Sequence, residues 1–185
     1  MSLRTLSCCA ALLACLAGGA AAAHAQSQES VVGGGERLTA GGDINANYLG
    51  YGKLWIGGAG ASVDANVNWR LGLEGEANFT FYRQQANTHA TTYLVGPRYQ
   101  FNALGSRYHY RPYVKFLVGD GAFNFPYNYA HGNYFLIAPG AGLDYRVNYR
   151  WRLRLVDFEY QYWPQFTFGA TSNYAITTGI RYNIF

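Results

Sequence analysis

Beyond residue 15 the chain has no cysteine; Cys8, Cys9 and Cys15 are its only three in 185 residues. Without thiols, the rest of the chain has no disulfide framework and no cysteine-based metal or catalytic site. Charge is scarce too. Asp, Glu, Lys and Arg make up 13% of the residues, and the formal net charge of +4 is too small and scattered to engage nucleic acid. After residue 25 no apolar run approaches 18 residues, which excludes a transmembrane helix. The histidines after that point, His89, His109 and His131, stand singly without metal-ligand spacing. No phosphate-cradling loop and no acid pair at catalytic spacing is present, so no cofactor and no metal are expected.

The first 25 residues read as a cleaved signal peptide. Arg4 supplies a positive start, residues 6–23 are apolar or small, and Ala23-His24-Ala25 offers the small-x-small cleavage pattern. Leu12-Leu13-Ala14-Cys15 loosely matches a lipoprotein signal and leaves that alternative standing. Cleavage after Ala25 removes every thiol and leaves residues 26–185: a segment 26–37, then one domain from 38 to 185. An exported chain without disulfides needs another source of stability, and a closed sheet in a bilayer is one.

What the chain does have is aromatic and small residues: 17 Tyr, 11 Phe, 4 Trp and 23 Gly. Such composition favours strands, and the dominant pattern has period two. Tyr174, Ile176, Thr178, Ile180, Tyr182 and Ile184 alternate with Ala175, Thr177, Gly179, Arg181 and Asn183. Leu71, Leu73, Gly75, Ala77, Phe79 and Phe81 alternate with Gly72, Glu74, Glu76, Asn78 and Thr80. The rule predicts eight strands, at 38–48, 54–68, 70–82, 91–101, 112–124, 133–147, 151–163 and 174–185. About 11 residues at ~3.3 Å each, tilted near 45°, cross a hydrocarbon core. The predicted class is therefore all-β: an eight-stranded antiparallel up-and-down transmembrane β-barrel.

The sidedness follows from the two faces. The polar face carries Asp43, Asp64, Glu74, Glu76, Arg98, Lys115, Asp144, Arg146, Arg154, Asp157, Glu159 and Arg181, together with Gly58, Gly60, Gly72, Gly140, Gly142 and Gly179. Mixed charges with interspersed glycines suit a narrow lumen crossed by long side chains. Trp55, Trp69, Tyr82, Tyr99, Trp151 and Tyr182 lie near strand ends on the apolar face, as interfacial girdles do. Within the lumen Arg98, Lys115, Arg146, Arg154 and Arg181 are expected to pair with Asp64, Glu74, Glu76, Asp144, Asp157 and Glu159.

A repeat divides the chain. Gly60–Asn68 resembles Gly140–Asn148 at a spacing of 80, and each is followed by Trp-Arg-Leu-x-Leu, at Trp69 and Trp151. Gly96-Pro-Arg98-Tyr99 likewise resembles Gly179-Ile-Arg181-Tyr182. Pro97 and Pro139 fall inside predicted strands, where a bulge is expected. A change of phase near Val156 predicts another.

The C-terminal strand, Thr177-x-Gly179-x-x-Tyr182-x-Ile184-Phe185, resembles the assembly signal of outer-membrane barrels, and with the alternating strands the chain resembles the OmpA/OmpX-like group of bacterial outer-membrane β-barrels. The resemblance implies an outer-membrane location, contact with outer-membrane lipid, and recognition by the barrel-assembly machinery. Both termini would be periplasmic, as would the connections near 69, 102–111 and 148–150. Those near 49–53, 83–90, 125–132 and 164–173 would be external, and the tyrosines of the 126–131 loop could offer a contact surface to an external ligand. Segment 102–111 is long for a periplasmic turn.

Some barrels of this size are lipid A deacylases or palmitoyltransferases. The deacylase resemblance requires His and Ser two apart on a strand, and His89, Ser106, His109 and His131 do not supply it. The expected role is structural or adhesion-type, with no catalysis. The alternatives are a narrow pore or small-solute binder, a lipid A-modifying enzyme, and a soluble lipocalin-like carrier with its apolar face inward.

Overall fold

A computed structural model describes residues 37–82, 88–104, 109–124, 127, 131–167 and 169–184. The expected signal peptide, segment 26–36, Ser106 and Phe185 lie outside them.

Eight antiparallel strands form one closed barrel in chain order: β1 (Leu38–Leu49), β2 (Leu54–Asn66), β3 (Leu71–Tyr82), β4 (His89–Gln100), β5 (Tyr110–Asn124), β6 (His131–Arg146), β7 (Trp151–Trp163) and β8 (Thr171–Asn183). Closure comes from β1 pairing with both β2 and β8, so no edge is left unpaired. The sequence pattern found every strand. β5 starts two residues earlier than predicted because Leu104 and Tyr110 form a bridge beyond the barrel, with Leu104 N donating to Tyr110 O at 2.7 Å. Of the long 102–111 segment, the described residues continue the pairing of β4 with β5 as far as this bridge.

The strand ends at Leu38 and Asn183 lie together, since Ile184 N donates to the Leu38 carbonyl at 2.8 Å. The 67–70 and 147–150 turns share this terminal end of the barrel. Each is built on an asparagine: Asn68 Oδ1 accepts from Arg70 N and Leu71 N at 2.9 and 2.7 Å, and Asn148 Oδ1 accepts from Arg150 N and Trp151 N, both at 2.8 Å. The turns align Trp69 with Tyr149 and Leu71 with Trp151, two residues away from the alignment of the Trp-Arg-Leu motifs. The register supports the half-chain repeat: Glu74 pairs with Gly96 as Arg154 pairs with Gly179.

The prolines behave differently from expectation. The β4–β5 ladder is interrupted at Gly96 and Pro97, yet Val95↔Val118 and Arg98↔Lys115 keep one frame. The β6–β7 ladder skips Ala138 and Pro139 in the same manner, with Ile137↔Tyr162 and Gly140↔Glu159. Each proline costs ladder bonding on one side without inserting a residue, so neither produces a bulge. The predicted change of phase in β7 is real. Between Arg154 and Asp157 the register shifts by one residue against both neighbours, and Leu155 and Val156 both face outward. A second shift separates Gly57 from Gly58 against β3.

Burial fixes the sidedness. Val63, Leu73, Phe79, Phe81, Val95, Phe116, Phe158 and Ile180 are exposed, while the charged face is buried. The soluble-carrier alternative needs the opposite arrangement and fails on this point. Aromatic belts ring both ends of the apolar exterior, with Tyr48 and Trp55 (ring centroids 5.4 Å apart) at one end and Trp151 and Tyr182 (4.8 Å) at the other.

Candidate functional site: a buried ion network in the lumen

Alternation along every strand sends one residue in two to the axis, and an eight-stranded barrel is only wide enough for side chains to fill it. The half of the lumen nearer the termini is filled by ions. Arg98, on β4, donates from Nη1 to Asp64 Oδ2 at 3.0 Å and from Nη2 to Asp144 Oδ2 at 2.5 Å, reaching β2 and β6 together. The same guanidinium lies 3.5 Å from Glu74 and stacks 3.6 Å over the ring of Tyr113. Arg181 pairs with Asp64 and, at 2.6 Å, with Glu74. Arg154 pairs with Glu74, with Glu76 at 2.8 Å and with Asp157 at 3.0 Å. Lys115 Nζ is surrounded by Glu76 at 2.7 Å, Asp157 at 2.6 Å and Glu159 at 2.6 Å.

Ten of the eleven residues expected in the lumen are thus buried and joined in one network spanning seven of the eight strands, β2 to β8. Arg146 is not. It follows the parity of Asp144 but lies one step further along β6, where the lumen meets solvent, and its Nε donates to Asn148 O at 3.4 Å. Asp43 joins instead, accepting from Ser62 Oγ at 2.8 Å with Arg154 at 3.8 Å. Its place on the polar face was legible; its participation was not. Arg152 is also buried.

The network depends on missing side chains beside it. A Cβ at Gly142 would collide with the Tyr113 hydroxyl, and one at Gly179 with an Asp43 carboxylate oxygen. Three carboxylates, Glu74, Glu76 and Asp157, offer oxygens within 4.8 Å of one another. Arg154 contacts all three and Lys115 two of them, so protein cations already sit where a metal ion would bind.

The opposite half of the lumen contains a feature that the period-two rule did not reveal. Leu117, Leu136, Ala138 and Trp163 have no exposed surface, and Phe123 and Phe166 are nearly as buried. Phe123 and Phe166 pack edge to face at 5.2 Å, with Trp163 beside them. This apolar plug fills the β4–β7 side. Asn45, Asn47 and Asn78 line the facing side and bond to one another, with Asn45 donating to Asn78 at 3.2 Å and Asn47 to Asn45 at 2.7 Å.

Among the described residues the histidines do not come together in one group. His109 Nδ1 lies 2.6 Å from Arg146 O at the terminal end. His89 and His131 are at the other end on β4 and β6, each paired in register with Asn124. They are closer together than their separate places in the sequence implied.

The repeat is also written in the ions. Glu74 and Arg154 hold equivalent places in the two halves and pair across the lumen, while Arg98 and Arg181 are equivalent and share Asp64. Outside the barrel, Arg70 reaches the Tyr99 hydroxyl at 3.3 Å as Arg150 reaches that of Tyr182 at 3.5 Å.

No protein-family model and no curated protein sequence matches the chain. Solved structures do. Neisserial surface protein A is 13% identical with a TM-score of 0.61, the alignment covering 80% of this chain and 96% of that one. The N-terminal β-barrel domain of Pseudomonas aeruginosa OprF is 14% identical with a TM-score of 0.56, covering 78% and 96%. The outer membrane protein OprG from Pseudomonas aeruginosa is 11% identical with a TM-score of 0.50, covering 78% and 94%. The chain has the fold of these small outer-membrane barrels, with an apolar belt outside and a lumen filled by ions in one half and partly by an apolar plug in the other.

Proposed function

Starting from that fold, we propose that the protein is an integral outer-membrane barrel of structural or adhesion type, with a lumen closed by its own side chains and no catalytic role. The observation that carries the reading is the ion network. Arg98 and Arg154 tie opposite sides of the barrel together and Arg181 ties β8 to β2 and β3, so the charges of this network are spent on one another across the axis. Among the described residues His89 and His131 flank Asn124 at one end and His109 lies against the Arg146 carbonyl at the other, which supports a non-catalytic role. On this reading the terminal end is periplasmic, the barrel-assembly machinery reads Thr177, Gly179, Tyr182, Ile184 and Phe185, and partners meet the external connections.

Unboiled samples from outer-membrane fractions should run faster on a gel than boiled ones. In planar bilayers the same protein should give no resolved single-channel steps. Steady conductance from the folded band would refute the closed lumen. It would favour a narrow pore, a reading supported by one observation: among the described residues seven carboxylates are buried against five cationic side chains. Such a pore would pass cations in preference to anions. A change in lipid A acylation on expression would refute the non-catalytic role.

A further inference from the structure

We propose that the barrel holds an anionic phospholipid at its terminal end, the phosphate against Arg150 and one acyl chain in an outward groove across β7, β8, β1 and β2. The groove measures about 850 Å³. Trp151, Leu155, Ile180 and Tyr182 form its walls, and the small residues Gly42 and Ala59 form its floor. Gly42 pairs in register with Ile180, so the floor lies directly beside a wall. The β7 bulge turns Leu155 and Val156 outward together and raises the far end of that wall. From Trp151 to Leu155 the groove follows a strand for ~13 Å. One leaflet of the hydrocarbon core is about 15 Å deep, so an acyl chain fits its length.

The charge at the terminal end fits a phosphate. Arg150 is exposed and donates from Nη1 to the hydroxyl of Tyr182, a wall residue, at 3.5 Å. Arg37, also exposed, precedes β1 on the other side of the groove. The end of β8 runs between them, with Asn183 N bonded to Arg150 O at 2.7 Å and Ile184 N to Leu38 O at 2.8 Å. Among the described residues every acid except Asp120 is buried in the lumen, and Asp120 pairs with Phe135 toward the other end of the barrel. No described carboxylate therefore competes for these guanidiniums. A concave, walled groove suits a flexible chain better than the convex side of a second barrel.

The inference rests on the barrel lying in a bilayer, and its test separates the two. The protein is reconstituted in nanodiscs of phosphatidylethanolamine with a minor share of phosphatidylglycerol, released into detergent, and examined by native mass spectrometry. The wild type should retain one phosphatidylglycerol in preference to phosphatidylethanolamine. Arg150→Gln should reduce that preference about tenfold, the size of one charge-assisted hydrogen bond. Gly42→Leu should reduce retention of both lipids; a Cβ there meets no atom within 4 Å, so the side chain starts from open space on the outer face. If Gly42→Leu fails to fold, Arg150→Gln on its exposed turn carries the test alone. A folded barrel with no lipid preference, or with wild-type retention in both variants, overturns the proposal. So does a dimer mass that Gly42→Leu abolishes while lipid retention stays, which makes the groove a contact between two copies. A wild type without the gel shift removes the membrane reading and this inference with it.

Discussion

Lys115→Met tests whether the lumen is one coupled network. Met retains most of the stem and deletes an ammonium that is held by Glu76, Asp157 and Glu159 at 2.6–2.7 Å and has no exposed side-chain surface. Arg154 would still compensate Glu76 and Asp157. Glu159 would lose its cation and keep the amide of Gln161, at 3.1 Å, beside the Glu76 carboxyl. Removing one partner of a buried pair costs about 3–5 kcal/mol, because the charge left behind has lost its water as well as its partner. With a urea m-value near ~2 kcal/mol/M, the unfolding midpoint should fall by about 2 M. The assay is the fraction of fast-migrating band against urea in detergent micelles. Adding Glu159→Gln removes the stranded charge and should recover about 1–3 kcal/mol, measured as a double-mutant cycle. A Lys115→Met barrel within about 0.5 kcal/mol of wild type, the range of an ordinary surface substitution, would refute the reasoning. So would a double variant whose loss is the sum of the two singles.

Gly142→Val should leave little folded band at any urea concentration, since its Cβ collides with the Tyr113 hydroxyl and with the Val156 carbonyl of β7; normal folding would mean Tyr113 moves freely. Tyr113→Phe keeps the ring beneath Arg98 and should unfold within about 1 kcal/mol of wild type, whereas Tyr113→Leu should lose about 1–2 kcal/mol of buried cation–π attraction, read from the same titration. Tyr182→Ala should lower the amount of folded barrel in cells while leaving refolding into detergent intact. Equal loss in both settings would assign the residue to packing against Trp151 instead of to an assembly signal.

Period two made the strands legible because each has one face in lipid and the other against the axis. Ten lumen ions followed from the same rule. Arg146 did not, because parity says which side a residue takes and not where the lumen opens to solvent. The prolines misled for a related reason. A missing N–H weakens a ladder, but a closed barrel fixes register from both sides, so Pro97 and Pro139 stay in frame. The apolar plug of Leu117, Leu136, Trp163 and Phe166 was hidden because strands with large residues on both faces show no alternation there. Asp43 lies in a glycine-rich strand, and its link to Ser62 needs the β1–β2 pairing to become visible.

The opposite charges of Glu74 and Arg154 have a consequence for how such a barrel can be assembled from halves. The two residues occupy the same place in successive four-stranded units and meet across the axis. Two copies of the first unit would set glutamate against glutamate at that point, and two copies of the second would set arginine against arginine. Only one unit of each kind closes the ring without repulsion. In this chain the exchange of one charge makes the halves unlike, and each requires the other.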